Sequence, residues 1–123
     1  MVKLTFCLRR LAHLSRDEFQ AYWISHHRDI MVRNKKALGY RRYVQSHTIG
    51  GPLAGRIEQS RSGPEVYDGM AEVWYDNLES LERSLASELG RRAGRELIED
   101  EKRFIDIANS PVWLSEERVT EEA

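Results

Sequence analysis

The sequence predicts a ferredoxin-like α+β fold with the element order βαββαβ. Three observations support this fold: four segments in which side-chain character alternates, helical segments after the first and third of them, and a length of 123 residues. A chain of this length fits one domain, residues 1–123, with a modest core. Two βαβ halves in this order give a four-stranded antiparallel sheet with two helices on one face.

The first half of the chain carries a strand, a long helix and a second strand. Residues 2–10 alternate apolar and polar side chains and predict the first strand. Ser15, with Glu18 three residues later, forms a capping box that begins a helix ending near Asn34. Residues 38–49 return to β-branched and aromatic side chains, which predict the second strand.

The second half begins with residues 50–65, which are rich in glycine and proline. We expect a long loop there, without a regular element. The remaining segments are a strand at 67–76, a helix capped by Asn77 at 77–89, an amphipathic piece at 95–107, a strand at 110–119 and an acidic tail at 119–123. Gly90 and Gly94 are expected to interrupt the second helix.

The predicted helices cover only one face of the sheet. Reading the alternation outward from Gly69 places Ala71 and Val73 on the uncovered face. An apolar sheet face is not left open on a monomer, so we expect a homodimer formed through it.

The composition limits the classes of partner. The net charge is -1, which favours neither nucleic acid nor an anionic membrane. The single cysteine, Cys7, cannot form an internal disulfide, and no apolar run matches a signal peptide or a transmembrane helix. We therefore expect a cytoplasmic protein that binds a small molecule.

Two adjacent histidines, His26 and His27, lie in the helical segment FQAYWISHHRDIM. Projection at about 100° per residue puts both within a broad apolar arc, His26 near Phe19 and His27 near Trp23. A buried imidazole needs a hydrogen-bond partner at each nitrogen. The projection alone leaves open whether either is a satisfied core residue or a functional group.

Polar side chains also occur on the second and third strands, which are expected to be neighbours. Two sets each share one strand face, Tyr43 with Gln45 and His47, and Asp68 with Met70, Glu72 and Trp74. Together they could line one cavity under the helices, the usual form of a small-ligand site. The simpler alternatives are that Asp68 begins a turn and His47 ends a strand.

Four segments in this order resemble the EthD family of the dimeric α+β barrel superfamily: FQAYWISHHRDIM, LGYRRYVQSH, YDGMAEVWYDNLESL and EDEKRFID. The resemblance implies a ferredoxin-like monomer that pairs sheet to sheet, with a ligand cleft between sheet and helices. The family pattern of tryptophan followed four residues later by histidine matches Trp23 and His27, so His27 is the stronger functional candidate. Similar residues also recur in the family at His47, Asp68, Gly69, Trp74, Asp100, Glu101 and Phe104.

The resemblance implies a cofactor-independent lyase or isomerase acting on a small apolar aromatic or polyketide-like compound. His27 would be the general acid or base, and Asp68 or His47 would orient it or receive the proton. The expected substrate-binding side chains are Tyr22, Trp23, His26, Tyr43, Trp74 and Phe104. No nucleotide-binding glycine motif or nucleophile elbow is present, and no cofactor is expected.

Two other functions remain open. One is a non-catalytic protein that binds a hydrophobic molecule or haem. The other is a metal site built from His26, His27, His47 and Glu72. Adjacent helical histidines point about 100° apart and rarely bind one ion, so no metal is expected.

Overall fold

Four antiparallel strands form one sheet in the order β2-β3-β1-β4, in a computed structural model that describes all 123 residues. The strands are β1 (Val2–Leu8), β2 (Arg42–His47), β3 (Gly69–Tyr75) and β4 (Val112–Glu116). The two edges are β2 and β4, as in ferredoxin-like folds. The predicted fold class and the pairing of β2 with β3 are confirmed.

The helical segments, apart from the exposed helix at Pro52–Arg61, cover one side of the sheet. In chain order they are α1 (Arg16–Tyr22), a π-helical turn (Trp23–His27), α2 (Arg28–Arg33), α3 (Lys35–Leu38), α4 (Pro52–Arg61), α5 (Leu78–Ala86) and α6 (Glu88–Glu101). The capping box of Ser15 and Glu18 begins α1 as predicted. The longest of these helices has 14 residues, and none combines the length and apolar character needed to cross a bilayer.

The expectation of no regular element in residues 50–65 is wrong, because α4 forms there. The residues at the two ends of α4 explain why the sequence predicts a loop there. Gly51 precedes it with φ 113°, Pro52 occupies its first turn, and Ser62 ends it in the left-handed region. These residues mark the two ends of a helix, and the residues between them include good helix formers.

The predicted interruption at Gly90 and Gly94 is also wrong, since α6 runs through both. The break lies at Ser87, whose backbone is extended and whose side chain accepts from the Gly90 amide. Gly90 allows the close corner between α5 and α6, because an added Cβ would lie 1.8 Å from the Ser84 carbonyl oxygen.

The strand register reverses the predicted assignment of the two sheet faces. Directly opposed residues of antiparallel strands share a face. Tyr43 opposes Val73 and Gln45 opposes Ala71, and all four lie on the inner face, against the helices. Ala71 and Val73 were expected on the uncovered face. That outer face instead carries Lys3, Thr5, Cys7, Arg42, Met70, Glu72, Trp74 and Trp113.

Two buried clusters pack between the inner face and the helices. One contains Ile30, Met31, Tyr40, Val73, Tyr75, Leu81 and Leu97. The other contains Leu8, Phe19, Trp23, Ala71, Phe104 and Ile105. Members of both clusters line one cavity, which therefore lies within the domain core.

Candidate active site

The cavity between the inner face and the helices has a volume of about 460 Å³ and an apolar lining. Of its 20 lining residues, 16 are hydrophobic. The polar atoms come from His27, Tyr43, Glu101 and Ser110, with the Tyr75 phenol on the same lining. An apolar cavity with a few polar groups is the common form of a small-ligand site.

The π-helical turn places His27 on the cavity wall. Its defining bond runs from the Arg28 amide to the Trp23 carbonyl, and π turns are frequent at functional sites. The Gln45 side chain also donates to that carbonyl, over 3.0 Å, so β2 holds the turn in place.

The Trp23 indole anchors the same turn. It lies against Gly69, where an added Cβ would be 2.3 Å from the ring, so only glycine fits. The His47 ring stacks on the indole with centroids 4.5 Å apart. The turn therefore cannot rotate without disturbing β2 and β3.

The His27 imidazole is oriented by Asp100 at the end of α6. Nδ1 of His27 lies 2.8 Å from Oδ2 of Asp100, and both residues are buried. The other Asp100 oxygen accepts from the Tyr22 hydroxyl over 2.5 Å. The geometry favours the tautomer in which Nδ1 donates to the Asp100 carboxylate, and that tautomer leaves Nε2 with its lone pair.

The free Nε2 of His27 faces Glu101, whose Oε2 is 3.9 Å away. Burial lowers the pKa of His27, against the opposing effect of its hydrogen bond to Asp100. Burial, reinforced by the charge of Asp100, raises the pKa of Glu101 to about 7. Near neutral pH the site thus combines an unprotonated imidazole with a carboxyl group that is protonated in part of the molecules.

Three of the predicted site residues meet at the cavity and two support it from behind. His27, Trp23 and Tyr43 line the cavity. The Phe104 ring packs on the His27 ring with centroids 5.0 Å apart, and Tyr22 holds Asp100. Burial raises the pKa of Tyr43 to about 12, so its phenol keeps its proton.

The prediction that His26 points into the apolar arc is wrong. Its side chain is 54 % exposed and lies over the Tyr22 ring, with Nε2 3.3 Å from Asp100. A π turn closes over five residues instead of four, so the projection at 100° per residue does not hold across it.

The structure assigns the contact with His27 to Asp100 instead of Asp68 or His47. The Asp68 carboxylate accepts from the Arg10 amide and from the side chains of Arg10 and Arg16. It connects the segment after β1 and the start of β3 with the start of α1, and it does not line the cavity. His47 bonds to Gln45 through Nε2 and lies behind Trp23.

Trp74 lies on the outer face, away from the cavity that it was expected to line. Its ring lies between the Lys3 ammonium, 5.4 Å from the ring centroid, and the Arg42 guanidinium, 4.6 Å away. Glu72 is on the same face and pairs with Lys3 over 2.6 Å. The set considered for a metal therefore does not converge, because Glu72 and the histidines lie on opposite faces.

Asp100 and Glu101 are functional candidates for which the sequence analysis indicates no role beyond recurrence in the family. The sequence does contain one indication that Asp100 is buried. Ala93, Leu97 and Asp100 follow each other at spacings of four and three residues, which puts them on one face of α6, and Phe104 follows four residues later, just beyond the end of the helix. All four are buried. An acidic residue within such an apolar stripe needs a polar partner inside the fold.

The sheet order, the helices on one face and the internal cavity define a ferredoxin-like α+β protein with an apolar cavity between its sheet and its helices. A sequence model described as the EthD domain matches residues 11–108. The chain belongs to the EthD family.

Solved structures agree with this fold, and no protein of curated function matches the sequence. An ethyl tert-butyl ether D (EthD) family protein of Bacillus halodurans is 21 % identical, with a TM-score of 0.64 over 96 % of this chain and 99 % of that one. A dimeric ferredoxin-like protein of Thermobifida fusca is 10 % identical, with a TM-score of 0.56 over 93 % and 88 %. SnoaB of Streptomyces nogalater, a cofactor-independent oxygenase, is 13 % identical, with a TM-score of 0.52 over 97 % and 94 %.

Proposed function

We propose that this protein is a cofactor-independent lyase or isomerase that transfers a proton on a small apolar compound held in the cavity. One observation carries the proposal: Nε2 of a buried, Asp100-oriented His27 faces the Glu101 carboxyl group across 3.9 Å on an otherwise apolar wall. General acid–base catalysis requires an unprotonated base and a protonated acid at the same pH, and the lowered pKa of His27 and the raised pKa of Glu101 favour this combination.

In a dehydration, the His27 Nε2 takes a proton from a substrate carbon and the resulting imidazolium is stabilised by Asp100. The electron pair of that C–H bond forms the double bond, and the C–O bond breaks. The departing hydroxyl takes the proton of Glu101 and leaves as water. The imidazolium then returns its proton to Glu101. Because both groups lie on one wall, they act on the same face of the substrate.

An isomerisation uses the same two groups, with the Glu101 proton delivered to a second carbon instead of a hydroxyl. General acid–base catalysis of this kind contributes roughly 100- to 10,000-fold in rate. The description of SnoaB as a cofactor-independent oxygenase supports the view that this fold hosts chemistry without a cofactor.

We also propose that two copies pair through the outer sheet face. The helices leave this face open, and Trp113 on its edge strand is 47 % exposed. The dimeric description of the Thermobifida fusca protein supports this pairing. In such a dimer each cavity stays within its own protomer, because it lies on the opposite side of the sheet.

The enzymatic proposal is tested by solvent-deuterium incorporation. The protein is incubated in D₂O with a panel of apolar aromatic β-hydroxy and β-keto compounds, and isotope content and products are followed by mass spectrometry. We expect at least one compound to exchange a carbon-bound proton or lose water. The rate should fall by roughly 100-fold or more in His27→Gln and remain in His26→Gln, the adjacent exposed control. Compounds that bind in the cavity without exchange or turnover would identify a binding protein instead.

A further inference from the structure

We infer that the cavity accepts ligands whose buried end is uncharged, and that Glu101 is the residue that rejects anions. This inference rests on the proposed function, because it concerns the ligand of the same site. The observation behind it is the balance of charge on the cavity wall.

No lysine or arginine lines the cavity, and its one acidic lining residue is Glu101. Asp100 lies directly behind His27, with its oxygens already engaged by Tyr22 and His27. A ligand carboxylate or phosphate in this space would therefore face a carboxyl group without a compensating cation. A buried charge without a partner is strongly disfavoured.

An uncharged polar end fits the same wall. A carbonyl oxygen can accept the proton of Glu101 in its acid form, and a hydroxyl or amide can donate to Nε2 of His27. The apolar body of the ligand then meets the hydrophobic lining. Leu85, Ile98, Ile107 and Val112 line the cavity and are also largely exposed, so they form an apolar mouth for the far end of the ligand.

The ionisation of Glu101 makes this selection depend on pH. The titratable groups that face it are His27 from the π turn, Asp100 from its own helix and Tyr43 from β2. As the pH rises and Glu101 ionises, rejection of an anion becomes stronger. Replacement of Glu101 by glutamine removes that dependence and keeps the shape of the side chain.

Two probes of matched shape, 2-naphthamide and 2-naphthoate, separate charge from size. Isothermal titration calorimetry at pH 8 is expected to show the amide binding at least about 30-fold more tightly than the carboxylate. In Glu101→Gln this ratio should shrink at least about fivefold and lose its dependence on pH between 6 and 8. Glu99→Gln, on the exposed side of the same helix, should keep the wild-type ratio and pH dependence.

Equal or tighter binding of 2-naphthoate by the wild type would overturn the charge rule and leave the proposed acid–base site standing. An unchanged ratio in Glu101→Gln would overturn the role of Glu101. Gly94→Phe locates the binding, because Gly94 lines the cavity and an added Cβ there meets open space. Probe binding that survives this substitution, or no binding of either probe to the wild type, would overturn the cavity as the ligand site and with it the proposed function.

Discussion

Replacement of Glu101 by glutamine should stabilise the protein, and the gain should grow with pH. Burial raises the pKa of Glu101 from an ordinary 4.5 to about 7 in the folded protein. Below pH 4.5 the carboxyl group is protonated in both the folded and the unfolded state, so its ionisation does not lower the free energy of unfolding. As the pH rises, the unfolded chain ionises first and is favoured, so stability is lost until the folded group has ionised too.

The size of this effect follows from the two pKa values. The difference between 4.5 and about 7 corresponds to about 3 kcal/mol of unfolding free energy above pH 8. The side chain is 16 % exposed, so contact with water makes this figure an upper limit. Glutamine does not titrate, and the difference between variant and wild type should rise from near zero at pH 4 to its full value at pH 8.

Urea denaturation at several pH values between 4 and 8 measures this difference directly. Glu99→Gln is the matched control, since Glu99 is exposed and pairs with Lys102 on the surface of the same helix. The reasoning would be refuted if the difference in unfolding free energy between Glu101→Gln and the wild type did not depend on pH, or if the variant were less stable than the wild type at pH 8. Either result would mean that burial does not raise the pKa of Glu101 in the folded protein.

Three further predictions concern the histidines, the outer face and α4. His27→Gln should remain folded and lose roughly 100-fold or more in turnover, whereas His26→Gln should change stability by only about 0.5 kcal/mol because its side chain is exposed; melts and rates for both variants check this. Light scattering at micromolar concentration should show a dimer, with Trp113→Arg shifting it to a monomer; a monomeric wild type would contradict the pairing. Amide exchange should be fastest among the helices in α4, which has ten residues and no buried side chain, and strong protection there would contradict its lack of packing.

Elements with strong local signals could be predicted from the sequence. The capping box at Ser15 and the cap at Asn77 each begin a helix at the expected place, because each satisfies backbone amides within a few residues. The sequence does not predict α4, because Gly51, Pro52 and Ser62 are compatible with a loop and with helix ends alike. Only the hydrogen bonds of the folded chain distinguish the two.

The two sheet faces show a different limit. Alternation along β3 indicates that its two faces differ, but it does not say which face the helices cover. That choice depends on strand pairing and on the path of the helices, both of which are long-range. Alternation alone therefore predicts Trp74 in the cavity, whereas the residue lies opposite Arg42 on the outer face.

The same distinction between local and long-range information applies to the candidate site. The spacing of Trp23 and His27 matches a family pattern and selects the correct histidine of the pair for the cavity wall. Its partner Asp100 is 73 residues away, and their contact depends on how α6 passes behind the π turn. Local patterns carry no information on such a crossing.

The tautomer of His27 tests the central claim most directly. Long-range proton–nitrogen correlation spectra of ¹⁵N-labelled protein at pH 7, assigned with His27→Gln, report which ring nitrogen carries the proton. We predict a neutral imidazole with the proton on Nδ1, bonded to Asp100, and an unprotonated Nε2 facing Glu101. An imidazolium, or a neutral ring with the proton on Nε2, would contradict a base poised to accept a substrate proton.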